Sequence, residues 1–139
     1  MLATFAVTAG AGLTPARTAR TLNVTDTAKL KLLKVTGKGA LIETGTAHGG
    51  LPGTVRVEFD VEPTVSASFS IAAQAGTIMG HGTGKLHGTG RWASFGGQMT
   101  VTHGTGRYVH ASGHGGFYGI IERKYPYEAT VQTTGSLSY

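Results

Sequence analysis

The sequence of 139 residues contains no cysteine, which excludes disulfide bonds and thiolate chemistry. Charged residues make up only 14% of the chain, and no apolar run is long enough to cross a bilayer. No segment of eleven or more residues places apolar side chains at a 3.6-residue period, so we expect very little helix. The length is that of a single domain that can bury a core.

The net charge of +5 would suit a polyanionic partner. Four lysines, however, lie in or beside one predicted strand and look like its solvated face and turn: Lys29, Lys31, Lys34 and Lys38. No aromatic stacking platform accompanies them, so we expect no nucleic-acid partner. We also expect no membrane partner.

Glycine is abundant, with 23 copies, and more than half of them lie between residues 76 and 119. From residue 76 to residue 90 they fall mostly on even positions, while odd positions carry side chains such as Thr77, His81 and Lys85. A period of two is that of an extended strand, so one face should carry side chains and the other nearly bare backbone. Such density predicts tight coiling at a barrel corner, or close approach by another backbone or a ligand.

Strand patterns continue through the chain from Asn23 onward. In the clearest one, Val55, Val57 and Phe59 alternate with charged residues. Further strands are predicted at residues 29–36, 40–47, 66–71, 98–102, 117–124 and 127–139, and the alternation of the first slips in phase at Leu32 and Leu33. Eight or nine strands joined by short turns predict an all-β fold, an antiparallel meander that closes into an eight-stranded barrel. A β-sandwich is the alternative.

Residues 1–22 differ in composition from the rest. A weakly apolar run of small residues leads to Pro15 and a further stretch of small residues, as in the later part of a secretory signal. The basic region that should open such a signal is missing, so we expect the true start to lie upstream; a disordered tail is the other interpretation. The barrel domain is then residues 23–139, and the expected location is secreted or extracytoplasmic, with a cytoplasmic location as the alternative.

Three Gly-Thr-Gly-Lys/Arg copies begin at Gly82, Gly88 and Gly104. A phosphate-binding loop needs a helix N-terminus after such a motif, and because a strand is predicted to follow, we reject that function. The histidines are also poorly spaced for a metal: His81 and His87 are six residues apart on an extended strand. We therefore expect no metal site and no cofactor.

Bulky residues beside the glycines are the candidates for ligand binding, and each would either line a pocket or plug a barrel end: Trp92, Tyr108, His110, Phe117 and Tyr118. The weak candidate for a catalytic role is Glu122, which follows Ile120 and Ile121. Burial in that apolar strand would raise its pKa and suit acid–base chemistry. Its neighbours Arg123 and Lys124 equally favour an exposed strand end.

Residues 103–119, HGTGRYVHASGHGGFYG, resemble the Gly-Gly-Thr-Gly-x-Phe-x-x-Ala-x-Gly stretch of dirigent proteins and the glycine-rich stretch of allene oxide cyclases. The resemblance implies an eight-stranded antiparallel barrel with a ligand cavity, often in dimers or trimers. Relatives cyclise or guide reactive small molecules, chiefly by positioning them. Their polar cavity residues have no matching positions here, so no catalytic residue is carried over.

The function predicted from these observations is binding of a small hydrophobic molecule. One alternative is a cyclase or isomerase that steers ring closure in the cavity. The other is a non-catalytic structural or interaction module with a filled barrel.

Overall fold

Eight antiparallel strands form a closed barrel in the computed structural model, which describes residues 20–60 and 64–139. Each strand pairs with the next along the chain, and the first pairs with the last. The strands are β1 Thr21–Val35, β2 Leu41–Gly49, β3 Gly53–Asp60, β4 Val65–Ala73, β5 Gly76–His87, β6 Trp92–Gly104, β7 Ser112–Glu122 and β8 Ala129–Ser138, with a 3-10 helix at Gly106–Tyr108 between β6 and β7. The prediction of an all-β barrel is confirmed, and the closed ladder excludes the β-sandwich.

Period-two patterning places the apolar side chains inside. In β3, Val55 and Phe59 are buried while Arg56 and Glu58 are exposed. In β1 the lysines Lys29 and Lys31 point outward, as predicted. The predicted slip in phase is a register shift against β2 between Leu32 and Lys34, which a β-bulge explains because the extra residue changes which face follows.

The glycine-rich strand β5 has its bare face inward. Its even positions include Ile78, which is 1% exposed, and Gly82, which is buried, whereas His81 and Lys85 are exposed. A Cβ at Gly82 would lie 2.9 Å from the ring of Phe117, and one at Gly80 would lie 2.8 Å from the ring of Phe69. The missing side chains thus make room for aromatic rings that reach in from β7 and β4.

The three Gly-Thr-Gly copies adopt three different local structures. The first lies within β5 and the second in the turn between β5 and β6. The third ends β6 and enters the 3-10 helix, where the Tyr108 amide donates to the Thr105 carbonyl at 3.0 Å. The prediction that strand follows the motif is met at this third copy only after the short 3-10 helix, because Gly106 adopts φ +60° and turns the chain. This helix has only three residues, so the rejection of a phosphate loop is unaffected.

Buried side chains form two clusters inside the barrel. The larger includes Leu30, Leu41, Phe59, Phe95 and Ile121. The smaller is Leu51, Ile78, Tyr108, Ala111 and Leu137. The 3-10 helix contributes to the smaller cluster through Tyr108, so this irregular segment covers one end of the barrel.

The barrel begins slightly earlier than the sequence indicates. Thr21 pairs with Ser138 and Leu22 with Leu137, so the last two residues of the predicted tail belong to β1. The backbones of Arg20 and Tyr139 also exchange two hydrogen bonds, at 2.7 and 2.9 Å. The interpretation of the earlier residues as a signal or a tail falls on residues 1–19, outside the described residues.

We predict that a chain beginning at Arg20 melts at the same temperature as the full chain, because every β1–β8 pair is retained. A chain beginning at Val24 should melt lower by roughly 5–10 °C, since it loses three register pairs and the packing of Leu22 on the smaller cluster. Differential scanning calorimetry of the three chains measures both effects. Equal melting of the two shortened chains, or a large drop for the Arg20 chain, would contradict the boundary.

Candidate functional site

A cavity of about 100 Å³ lies inside the barrel and is bordered by residues from all eight strands. Almost all of the lining is apolar, with Val55, Ala67 and Val131 among the contributors. The two polar side chains of the lining belong to Asp26 on β1 and Thr133 on β8. An apolar enclosure with a small number of polar groups is the usual form of a small-molecule site.

A second cavity of about 50 Å³ adjoins the first on the side of the smaller cluster, and it is bordered by Leu51, Ile78 and Leu137. Five residues border both spaces: Asp26, Phe69, Ile71, Met99 and Thr133. The two cavities are therefore adjacent parts of one largely apolar interior, and Asp26 and Thr133 are the polar residues that border both.

Asp26 faces inward because it shares the strand parity of Ala28 and Leu30. It is 5% exposed, which is unusual for an aspartate. Its Oδ1 accepts a hydrogen bond of 3.1 Å from the backbone amide of Leu51 in the loop after β2. Its Oδ2 is buried and has no hydrogen-bond partner among the described residues. Asp26 thus borders the interior and carries one acceptor atom without a partner among the described residues.

Glu43 is a second buried carboxyl, on β2, with an exposure of 0%. It pairs in register with Leu32 and Val57, and neither of its oxygens has a hydrogen-bond partner among the described residues. Burial, followed by the nearby negative charge of Glu128, raises the pKa of Glu43 to about 8. Glu43 does not border either cavity, and its carboxyl is mainly protonated at neutral pH.

Of the predicted ligand-binding residues, Phe117 borders the cavity. Its ring centroid lies 6.1 Å from that of Phe95, another lining residue. Trp92 and Tyr118 are 50% and 60% exposed on the outer face, and the Tyr118 hydroxyl donates to the side-chain oxygen of Gln132. The expectation that these two line the pocket is wrong, because their parity places them on the other side of the sheet from Phe117 and Phe95.

Tyr108 and His110 also lie away from the cavity lining. Tyr108 is 6% exposed in the smaller cluster, and its ring centroid lies 5.0 Å from that of Tyr139 in an edge-on arrangement. It plugs a barrel end, which is the alternative that the sequence left open. His110 is exposed in the turn before β7.

Glu122 is buried, at 5% exposure, but it faces Arg91 rather than the cavity. Arg91 donates from Nε and Nη2 to the Oε2 of Glu122, at 2.8 and 2.7 Å. This ion pair ties the turn before β6 to the end of β7. Since the Arg91 side chain is 60% exposed, the pair contributes modestly to stability. The position gives Glu122 a structural role and no access to a molecule in the cavity.

The two interior carboxyls, of Asp26 and Glu43, were not among the residues predicted from the sequence. Asp26 was detectable: it shares the even parity of Ala28 and Leu30, opposite the outward Lys29 and Lys31, but the predicted strand began too late to include it. Glu43 was harder to find. Its neighbours Leu41 and Ile42 are both apolar and both buried, so alternation does not show which face is inside.

Within residues 20–60 and 64–139, no group of three His, Asp or Glu side chains is arranged to hold a metal ion. The same residues include no helix that is long and apolar enough to span a membrane. Comparison with protein-family models, curated proteins and solved structures found no match to this chain.

Proposed function

We propose that this barrel binds a small hydrophobic molecule in its interior, as a barrel of the allene oxide cyclase/dirigent type. The observation that carries the proposal is the apolar cavity of about 100 Å³ enclosed by the eight strands. A structural module with a filled barrel has no need of such a space, because packing to ordinary density would stabilise it.

The size of the cavity limits the ligand. An apolar cavity of about 150 Å³ in another protein remains dry and binds benzene, so the space here suits a molecule of about one ring. The glycine-rich β5 helps to create this space, since Gly82 borders the cavity where any larger residue would meet Phe117. This need for interior space explains why glycine is frequent in the strand although each glycine loses more conformational entropy on folding than other residues do.

Binding of toluene is the first test, measured by calorimetry and by shifts of the lining methyl groups in NMR spectra. Ala67→Leu adds bulk to a lining position and should weaken toluene binding about tenfold or more. Ala72→Leu is the matched control, because Ala72 lies on the exposed face of the same strand. If wild type fails to bind toluene, or if both variants bind it equally, the proposed function is wrong.

An enzyme acting in the same cavity, a cyclase or isomerase, is the second candidate. One observation favours it: Asp26 borders the cavity and its Oδ2 has no hydrogen-bond partner among the described residues, so this carboxyl would be the proton acceptor of such an enzyme. Enclosure in a rigid cavity would add catalysis by positioning. Recovery of a bound candidate molecule after incubation separates the two functions, since a chemically changed molecule indicates the enzyme and an unchanged one the binder.

A further inference from the structure

The Asp26 carboxyl is a polar group of the cavity lining that has only one of its two oxygens hydrogen-bonded among the described residues. It borders both interior spaces and is 5% exposed. The Leu51 amide satisfies Oδ1, at 3.1 Å, while Oδ2 has no partner among the described residues. A buried acceptor without a hydrogen-bond partner lowers the stability of the folded state, and a buried charge without a partner lowers it more. A ligand that supplies the missing partner would remove this cost.

No lysine or arginine is among the described residues that border the two cavities. The one basic side chain among those residues is that of His114, which borders the smaller cavity and not the larger one. The lysines nearest in sequence, Lys29 and Lys31, are exposed on the opposite face of β1. The outer face of β1 is therefore positively charged, whereas its inner face carries the acidic group of Asp26. Thr133, which also borders both cavities, is the second residue with a polar side chain that the two linings share.

We propose that the ligand is a small hydrophobic amine, with its ammonium group at Oδ2 of Asp26 and its apolar body in the cavity of about 100 Å³. This inference rests on the proposed function and adds the chemical class of the ligand. An ammonium group brings both a donor and a positive charge, whereas an alcohol brings a donor alone. Charge-assisted hydrogen bonds are about twice as strong as neutral ones, so the cavity should distinguish the two.

Three probes of nearly equal shape test the inference: benzylamine, benzyl alcohol and toluene, titrated at pH 7, where an alkyl amine is protonated. Wild type should bind benzylamine about tenfold or more tightly than benzyl alcohol. Asp26→Asn should abolish this preference and retain toluene binding, because the amide has nearly the same shape and can still accept from Leu51. Asp60→Asn, an exposed position at the end of β3, is the matched control and should keep the preference.

A second measurement covers the case in which Asp26→Asn does not fold. In wild type, the NMR signal of the Leu51 amide should shift more with benzylamine than with benzyl alcohol, because it shares the carboxyl with the ligand. Three results would each overturn the proposal that the ligand is an amine. They are equal affinities for benzylamine and benzyl alcohol, a preference for benzylamine that Asp26→Asn retains, and equal shifts of the Leu51 amide signal with the two molecules. Toluene binding would then still support the apolar site, whereas a failure of toluene to bind overturns the proposed function itself.

Discussion

Replacing Glu43 by glutamine should stabilise the protein by about 3 kcal/mol at pH 7 and leave its stability nearly unchanged at pH 4. The side chain is 0% exposed and both of its oxygens lack partners among the described residues. Its pKa is about 8 in the folded chain and 4.5 in a solvated reference. Between these values the folded state binds more protons than the unfolded state, so stability falls as pH rises.

The expected slope is about 1.4 kcal/mol per pH unit through this window, and it levels off above the folded pKa. Glutamine has nearly the same shape and no charge, so Glu43→Gln should lose this component of the pH profile. Urea denaturation of both proteins at intervals between pH 4 and pH 9 measures the difference. Glu58→Gln is the control, because Glu58 is exposed on the adjacent strand β3, and its profile should follow wild type. Parallel profiles for wild type and Glu43→Gln would show that the Glu43 carboxyl does not titrate as described.

Alanine at position 106 should destabilise the barrel by roughly 1–3 kcal/mol. Gly106 adopts φ +60°, which alanine rarely adopts, and a Cβ there would lie 2.6 Å from the Ala75 carbonyl oxygen. The strain arises where the chain enters the 3-10 helix, so it also displaces Tyr108 from the smaller cluster. Thermal and chemical denaturation of Gly106→Ala measure the loss.

The repeated motif supplies a matched control for that substitution. Gly90 holds the same place before Arg91 as Gly106 holds before Arg107. A Cβ at Gly90 meets no atom within 4 Å, so Gly90→Ala should be neutral or should stabilise slightly by restricting the unfolded chain. An unchanged melting temperature for Gly106→Ala, or equal losses for the two variants, would remove the structural reason for glycine at position 106.

The fold could be predicted because apolar and polar residues alternate along the strands. Val55, Val57 and Phe59 lie on the inner side of β3 as the pattern predicts, and the even glycines of β5 form the inner face of that strand. A period of two is a local property of an extended chain, and strands with one apolar face require a shared core. The number of such strands and their short connections then favour a closed meander.

Less of the candidate site could be predicted. Phe117 was identified, but Trp92 and Tyr118 were grouped with it because all three are large aromatics beside glycine. Position along a strand separates them, since Tyr118 is one residue from Phe117 and therefore faces the opposite side of the sheet. Glu122 is buried, as a catalytic role in acid–base chemistry would require. Its carboxyl, however, is paired with Arg91, which lies in the turn between β5 and β6.

Alternation along the chain predicted most of the strands, the inward face of those with one apolar side, and a low helix content, because it depends on neighbouring residues alone. The different roles of the three Gly-Thr-Gly copies, and the positions of the acidic residues inside the barrel, depend instead on contacts between distant parts of the chain. Gly84, Gly90 and Gly106 have similar neighbours in sequence, but a Cβ would meet another strand's backbone at Gly84, open space at Gly90 and the Ala75 carbonyl at Gly106. Asp26 is a further example. The hydrogen bond that it accepts from the Leu51 amide and its position on the cavity lining both arise only when the barrel brings together residues that are distant in sequence.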